Sequence, residues 1–560
     1  MSKEALLITS VDDENLLLKN TQVKKIILDY SFFLKNNIHE NDNNFQYFFN
    51  SIPSNIADIP AKISRSWYRD INQKDNHQNL YSIGMILEKR ICFMISHTLM
   101  FYFSLSNLVS KFDSIAVPKN YPKYLDKVFR LFLPNIKFIN NNSDYSGTLK
   151  NLIEKKSGII KKIKVNKFSK IMRIIQRPFL NLLYNKTLIF PDWTYSNEKN
   201  KNYLYQNKLN IFKSFYYKDA HVNNSLNIKN KPQINSDNIE KILNNYEISD
   251  NDKKQIMLLA KEIIINEYSE SCQIVEQQYQ VMNELILYYK PKKIVIPDVG
   301  FSPRYNMAMQ ISSRENIPTV SVLDGYPIFL DVSQITIKED GVTPLVDYYA
   351  TMGSATDTLI KKLYPKFKTI MIKTPLLSYF SNNIKPSKKY AAMIMMPITN
   401  TISTECRWDK RNKYVLDIIK CLESINQVSG KIAIKIKPGA NLNDTELLAD
   451  IINRYNNLSN SNIDYEFIDG PIYKTLNDVS MIIGQLGTTL YESLVSDVPY
   501  YIYEPIECGL TNTTIKNSIV NISHVSRNIE KLAENINNNN NVKIAKDSLI
   551  DGNYMSMVIN

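Results

Sequence analysis

At 560 residues the chain is far longer than one hydrophobic core supports, which excludes a single small domain and predicts two or more domains. Its composition, 44% hydrophobic, 11% aromatic and 22% charged, is that of a soluble globular protein. The formal net charge of +13, with a pI near 9.1, favours an anionic partner, which could be nucleic acid, a lipid surface or a phosphorylated substrate.

The cysteine pattern and the N-terminus indicate a cytoplasmic protein. The cysteines show neither a CxxC motif nor a spacing typical of metal ligands, and the first residues, MSKEALLITSVDDEN, lack the basic and apolar regions of a signal peptide. The five cysteines are Cys92, Cys272, Cys406, Cys421 and Cys508. We therefore expect reduced thiols in a cytoplasmic environment.

One charge-free stretch, Ile91–Ser110, is long enough to span a bilayer. It contains His97, Asn107 and four serines, and these polar residues favour a helix buried in the protein over a membrane span.

The strongest concentration of positive charge lies at residues 155–186, which hold ten Lys and Arg and no Asp or Glu. Several isoleucines in this segment fall on one helical face. A basic amphipathic helix is typical of a surface that lies on anionic lipid, although a helix packed on its own domain fits equally well. No nucleic-acid partner is expected, because no RNP, zinc-finger or helix-turn-helix pattern accompanies the charge.

Strands and helices alternate along much of the remaining chain. A βαβ piece is predicted at 114–140, and residues 190–250 have weak periodicity and suggest an irregular insertion. Further predicted elements are a helix at 270–289, strands at 292–298, 317–325 and 346–353, and helices at 304–316 and from Ser354. This alternation predicts an α/β fold with parallel sheets.

The last third is the most regular part of the chain. Strands are predicted at 391–397, 431–438, 463–469, 479–485 and 499–505, with helices at 410–426, 444–455 and 489–496 between them. The sequence therefore predicts two Rossmann-like, doubly wound sheets facing a cleft, with a helical or irregular insertion in the N-terminal half.

Ligands of such sheets bind at the carboxyl ends of the strands, and four polar turns lie there. PDVGFSPRYN places Asp298 at a strand end and Arg304 near a helix start, and LDG contains Asp324. KIKPGA contains Lys437 and Pro438. GQLGTT, from 484 to 489, leads directly into a helix.

The GQLGTT turn suits a phosphate or diphosphate. Glycines allow close approach of the backbone, and helix N-terminal N–H groups bind anions with help from the Thr488 and Thr489 hydroxyls. Glu492 could accept hydrogen bonds from a ribose, and Lys437 offers a positive charge. Alternatively, Thr488 caps the helix and Glu492 completes a contact like that of a capping box. The predicted nucleotide-binding residues are Lys437, Pro438, Gln485, Gly487, Thr488, Thr489 and Glu492.

The order of these turns over residues 280–510 resembles GT-B glycosyltransferases of bacterial capsule, lipopolysaccharide and O-antigen synthesis, above all those using CMP-activated sugars. Where that family commonly has Gln-His-Gly, this chain has Leu323, Asp324 and Gly325, and where it has His-Pro, this chain has Lys437 and Pro438. The family's Ser/Thr pair and Glu are matched at 488, 489 and 492. Both family histidines are missing. The five histidines lie elsewhere, at His39, His77, His97, His221 and His524.

The missing histidines leave proton transfer to carboxylates and suggest a narrower similarity to retaining transferases of Kdo and related ulosonic acids. In those enzymes an N-domain carboxylate is thought to act as nucleophile, and Asp298 is the best match, unless it only binds its own backbone as a cap. Arg304 would hold the sugar carboxylate or orient Asp298, or it lies on the surface. Asp324 and Glu88 are further candidate catalytic carboxylates.

The resemblance implies a glycosyltransferase that moves an acidic ulosonic sugar from a CMP-activated donor to a lipid-linked or oligosaccharide acceptor. It implies no metal and no other cofactor, because no DxD motif follows a strand. Residues 1–380 would form the acceptor domain, 381–540 the nucleotide-sugar-binding domain, and 541–560 a tail that packs back on the first domain. The expected location is the cytoplasm, peripheral to the inner face of the membrane.

Four alternatives remain open from the sequence. They are a GT-B transferase using a UDP- or GDP-sugar, an isomerase resembling UDP-sugar 2-epimerases, a phosphotransferase of teichoic-acid type, and a non-catalytic GT-B-like scaffold. The scarcity of histidine in the predicted cleft weighs against the isomerase and the phosphotransferase, whereas it favours the scaffold.

Overall fold

The fold is known from a computed structural model, which describes residues 3–10, 23–39, 42–49, 58–69, 82–133, 135–140, 187–189, 232–289, 291–296, 303–322, 345–373, 389–397, 410–425, 430–436, 442–470, 472–507, 510 and 512–552. The basic segment 155–186 and most of the predicted insertion lie outside these ranges. Within them the chain forms three sheets whose strand pairs are all parallel. The α/β class with parallel sheets is thus confirmed, with a third sheet beyond the two that the sequence predicted.

The first sheet has five strands in the order β3-β2-β1-β4-β5, a doubly wound arrangement. Its strands are β1 (Glu4–Ile8), β2 (Lys24–Ile27), β3 (Phe45–Tyr47), β4 (Ser114–Pro118) and β5 (Ile136–Ile139). Its helices are α1 (Ser31–Asn36), α2 (Asp58–Ser66), α3 (Ile83–Val109) and α4 (Asp126–Leu131). The βαβ piece predicted at 114–140 is confirmed by β4, α4 and β5.

The second sheet has five strands in the order β10-β9-β8-β7-β6. Its strands are β6 (Thr187–Ile189), β7 (Lys293–Ile296), β8 (Thr319–Val322), β9 (Tyr348–Met352) and β10 (Lys368–Ile372). Its helices are α5 (Ser236–Asn244), α6 (Asp250–Tyr289), α7 (Pro303–Arg314) and α8 (Gly353–Leu363). The end of the predicted irregular insertion is therefore helical, because Asn235 caps α5 and Ile239 and Leu243, four residues apart, are both buried.

The third sheet has six strands in the order β13-β12-β11-β14-β15-β16. Its strands are β11 (Tyr390–Met395), β12 (Lys431–Lys435), β13 (Tyr465–Ile468), β14 (Ile482–Gly484), β15 (Tyr500–Tyr503) and β16 (Val525–Ser526). Its helices are α9 (Arg411–Ser424), α10 (Leu442–Ser459), α11 (Thr488–Val495), α12 (Asn512–Lys516) and α13 (Ile529–Asn537), and α14 (Lys546–Ile550) follows. This is the 3-2-1-4-5-6 order of a Rossmann-like sheet.

Helix α3 is the one helix of the described residues that is long and apolar enough to cross a membrane. It is nevertheless enclosed by protein, since 83% of its most apolar window is buried against α2, α6 and other neighbours. Its start is fixed by the Ser82 side chain, which accepts a hydrogen bond from the Met85 N–H. The prediction of a buried helix over 91–110 is confirmed.

Two clusters of buried apolar side chains connect the three sheets. One extends from the first sheet across α3 and α6 to the second sheet, and another joins the second sheet to the third. Helix α14 contributes to the latter, because it packs against both α8 and α11. Gly353 at the start of α8 has φ +78, and a Cβ there would lie 2.4 Å from the Ser548 carbonyl oxygen.

Candidate functional site

The third sheet has a switch point between β11 and β14, where the chain order reverses. These strands pair directly, with Met393 opposite Ile482 and Ile394 opposite Ile483. Open α/β sheets bind ligands in the crevice outside the carboxyl ends of the two strands at such a point. The carboxyl end of β14 is the turn 485–487, so the structure places the predicted GQLGTT turn at this crevice.

Helix α11 begins at the crevice without a side-chain cap. Its N-cap is Gly487, in an extended conformation and without a capping side chain, and the Leu490 N–H of the first turn donates to the Gly487 carbonyl oxygen at 3.0 Å. Thr488 and Thr489 are the first two helical residues and are partly buried. The alternative in which Thr488 caps the helix with help from Glu492 is therefore wrong. In the part of the chain that the structure describes, the backbone N–H groups of Thr488 and Thr489 have no acceptor and remain available to an anion.

Close packing fixes the strand that leads into the turn. A Cβ at Gly484 would lie 2.4 Å from the Tyr500 hydroxyl oxygen and 2.9 Å from Met395 Cβ. The same Tyr500 hydroxyl donates to the Gln485 carbonyl oxygen at 2.7 Å. A side chain at position 484 would displace Tyr500 and the turn with it, so glycine is required there.

A buried carboxylate, Glu504, holds the turn from behind. It follows β15 and accepts hydrogen bonds from the Leu486 N–H (2.7 Å), the Leu510 N–H (2.9 Å) and the Gln485 side-chain amide (3.3 Å). Glu504 is completely buried. The Gln485 side-chain amide therefore donates to Glu504 and helps to fix the conformation of the turn. Glu504 was not predicted, and its only sequence signal is an acidic residue directly after the apolar strand PYYIY.

Glu492, one turn into α11, is a partly buried carboxyl group, and it has no hydrogen-bond or ion-pair partner within the described part of the chain. Burial raises its pKa to about 8, against a smaller opposing effect of Lys435. In the free protein much of Glu492 is therefore protonated at neutral pH. A ligand hydroxyl would give this group the partner that it lacks.

Lys435, the last residue of β12, supplies a buried cation near Glu492. Its Nζ donates to the Ile436 carbonyl oxygen at 2.8 Å. Burial lowers its pKa, and Asp469 and Glu492 partly offset that effect. The sequence favoured Lys437, which lies outside the described residues, as does Pro438. Lys435 was missed because the sequence does not show which lysine of KIKP ends the strand.

Glu88 lies in the N-terminal half, on α3. Its carboxylate pairs with Arg65 Nε at 2.7 Å and accepts the Tyr68 hydroxyl at 3.1 Å, and both partners lie in or just after α2. Burial, together with the Glu88 charge, raises the pKa of Tyr68 well above its usual value. The ion pair with Arg65 and the hydrogen bond from Tyr68 explain why a carboxylate is buried at Glu88 without assigning it a catalytic role.

The remaining predicted site residues are less defined by the structure. Arg304 belongs to α7, of whose first residues only the backbone is described. Asp298 and Asp324 lie outside the described residues. Over the described ranges, His, Cys, Asp and Glu side chains form no group of three or more that could hold a metal ion.

No protein-family model matches the sequence, and no curated protein matches it. Among solved structures, UDP-GlcNAc 2-epimerase from Methanocaldococcus jannaschii is 13% identical with a TM-score of 0.33, over 51% of this chain and 81% of that one. A glycosyltransferase from Rickettsia africae is 15% identical with a TM-score of 0.32, over 47% and 70%. MurG from Acinetobacter baumannii is 11% identical with a TM-score of 0.31, over 51% and 78%. Similarities of this size identify neither a function nor a substrate.

Proposed function

We propose that the protein is a nucleotide-sugar-dependent glycosyltransferase of the GT-B type, with its nucleotide in the crevice between β11 and β14. One observation carries this proposal: the uncapped N-terminus of α11 lies at the switch point of a 3-2-1-4-5-6 sheet. Such a position suits the phosphates of a nucleotide.

Each group at the crevice has a distinct part in this reaction. The first N–H groups of α11 and the hydroxyls of Thr488 and Thr489 bind phosphate oxygens. Glu492 accepts hydrogen bonds from the ribose. The helix N-terminus, with Lys435 nearby, stabilises the negative charge that develops on the departing phosphate, so this chemistry does not require a metal ion.

The donor we propose is a CMP-activated acidic ulosonic sugar such as Kdo, and the acceptor is a lipid-linked or oligosaccharide precursor of a bacterial surface polysaccharide. The resemblance over residues 280–510 and the absence of histidine from the four polar turns support this choice. Transfer would proceed with retention, with Asp298 as nucleophile, at the cytoplasmic face of the membrane. A UDP-sugar is the alternative donor.

Calorimetric titration with CMP, CDP, UDP and GDP tests the proposal. At least one of them should bind the wild-type protein, and the double variant Thr488→Val, Thr489→Val should lose on the order of 1–3 kcal/mol of that binding free energy. Thr358→Val, which removes an exposed hydroxyl from α8, is the matched control and should bind like wild type. Absence of binding by all four nucleotides, or equal affinity in the double variant, would contradict the proposal.

Incubation with nucleotide sugars then separates transfer from the alternatives. A transferase releases free nucleotide faster when acceptor is added. An isomerase would convert a UDP-sugar without acceptor, and a scaffold would bind nucleotide without turnover.

A further inference from the structure

The carboxyl edges of the first and third sheets meet in the folded chain. Asn412, in the first turn of α9, donates from its side-chain amide to the Ser31 hydroxyl at 3.0 Å, and this bond is buried. A second contact joins Arg454 of α10 to the Lys35 carbonyl oxygen at 2.5 Å. Helix α1 begins just after β2, and α9 begins on the carboxyl side of β11. The first sheet therefore faces the edge of the third sheet that carries the crevice.

Lys410 lies at the centre of this contact. It precedes α9 and is buried, with Nζ 5.1 Å from the ring centroids of both Tyr30 and Tyr47. The same Nζ forms an ion pair with Glu507. We refer to Lys410, Glu507, Tyr30 and Tyr47 as the Lys410 clasp. A cation between two aromatic rings and a carboxylate is held by all three neighbours.

The Lys410 clasp is connected to the crevice by a short segment. Glu507 lies three residues after Glu504. Glu504 accepts hydrogen bonds from the Leu486 N–H and the Gln485 side-chain amide, which belong to the turn 485–487, here called the nucleotide turn. Residues 504–507 thus connect the turn on one side to Lys410 on the other.

We propose that Lys410 is a positioning residue that fixes the first sheet across the nucleotide crevice, and that nucleotide binding tightens the Lys410 clasp. This inference rests on the proposed function, because it assigns the first sheet to the far side of the reaction cleft. Lys410 itself touches no reacting atom. Loss of its charge loosens the sheet against the crevice and leaves the nucleotide turn intact.

Transfer kinetics provide the first test. Lys410→Met should bind nucleotide within about threefold of wild type, while kcat for transfer falls at least about tenfold because the two sides of the cleft are no longer aligned. Lys410→Arg restores a cation and should recover most of kcat. Lys420→Met, which removes an exposed cation from α9 on the side of Tyr455, is the matched control and should match wild type. Equal kcat in Lys410→Met and Lys420→Met would overturn the inference.

A second test does not depend on activity. In a Ser31→Cys, Asn412→Cys variant treated with oxidised glutathione, which accepts the two electrons, the rate of disulfide formation reports how closely the two sheets approach, and peptide mass spectrometry identifies the bond. UDP or CMP, whichever binds, should raise the rate, and adding Lys410→Met should lower it at least about fivefold.

An unchanged rate on adding Lys410→Met would overturn the inference even if transfer is confirmed. If the rate falls as expected but no nucleotide binds, the proposed function fails while the fixing of the sheet by Lys410 stands.

Discussion

Replacing Glu492 by Gln should stabilise the empty protein and weaken nucleotide binding. Glu492 has a folded-state pKa of about 8, raised from an ordinary value of 4.5. Between these two values the folded state binds more protons than the unfolded state, so the contribution of Glu492 makes stability fall as pH rises. Gln keeps the shape of the neutral acid and does not ionise. The variant's free energy of unfolding should therefore begin to exceed that of the wild type above about pH 4.5, and the difference should reach its full size above about pH 8.

The size of the gap follows from the same two values. The difference between about 8 and 4.5 corresponds to at most ~5 kcal/mol at ~1.4 kcal/mol per pH unit. Glu492 keeps partial contact with solvent, which reduces the cost of ionising it, so we expect ~2 kcal/mol. Loss of hydrogen bonds from the ribose to an ionised acceptor should weaken nucleotide binding by ~1.5–3 kcal/mol at pH 8.

Hydrogen exchange with mass spectrometry on peptides covering β14 and β15 measures the opening free energy of this region. Comparing the two proteins at one pH cancels the intrinsic pH dependence of exchange, and Glu534→Gln, on the exposed surface of α13, is the matched control. Equal protection of Glu492→Gln and wild type at pH 8.5 would refute the assigned burial. Unchanged nucleotide affinity at that pH would refute the ribose contact.

Two further predictions concern segments outside the described residues. In sedimentation, the basic stretch 155–186 should bind the protein to anionic vesicles and not to neutral ones. This binding should weaken sharply with salt, because each Lys or Arg contributes ~1 kcal/mol at most. Equal binding to both kinds of vesicle, or to neither, would count against this prediction. Asp298→Asn should lower transfer by at least about a hundredfold at nearly constant nucleotide affinity, since the amide keeps the shape and loses the nucleophile. Substantial transfer by that variant, or inversion of the anomeric configuration, would show that Asp298 is not the nucleophile.

The C-terminal sheet was predictable because its central strands are buried on both faces and contain apolar runs such as IAI of β12 and MII before and in β14. The N-terminal strands β1, β2 and β3 were not identified. They contain only three to five residues each, and β2 buries Lys25, which a pattern of alternating polarity places on the surface. Strands this short acquire their identity from pairing with neighbours distant in sequence.

The residues of the candidate site were predictable where they are adjacent in sequence, and they were not predictable where two strands distant in sequence bring them together. The turn before α11 carries its own glycines and threonines, so its position was found. Glu504 was missed because its contact with Leu486 exists only once β15 lies beside β14. Gly487, and not Thr488, turned out to be the N-cap, since sequence places a helix start only to within a residue or two.

The packing of α14 has a consequence for biosynthesis. Leu549 is fully buried and its carbonyl oxygen accepts the Tyr491 hydroxyl, while Gly552 lies against the backbone of Ile372. On the ribosome, α14 leaves the exit tunnel only after both the second and the third sheet have been synthesised. A polypeptide cut short before residue 546 would carry both sheets with the apolar groove for Leu549 uncovered. Chaperones and proteases would then recognise such a nascent product by that groove, although the turn 485–487 would already be synthesised.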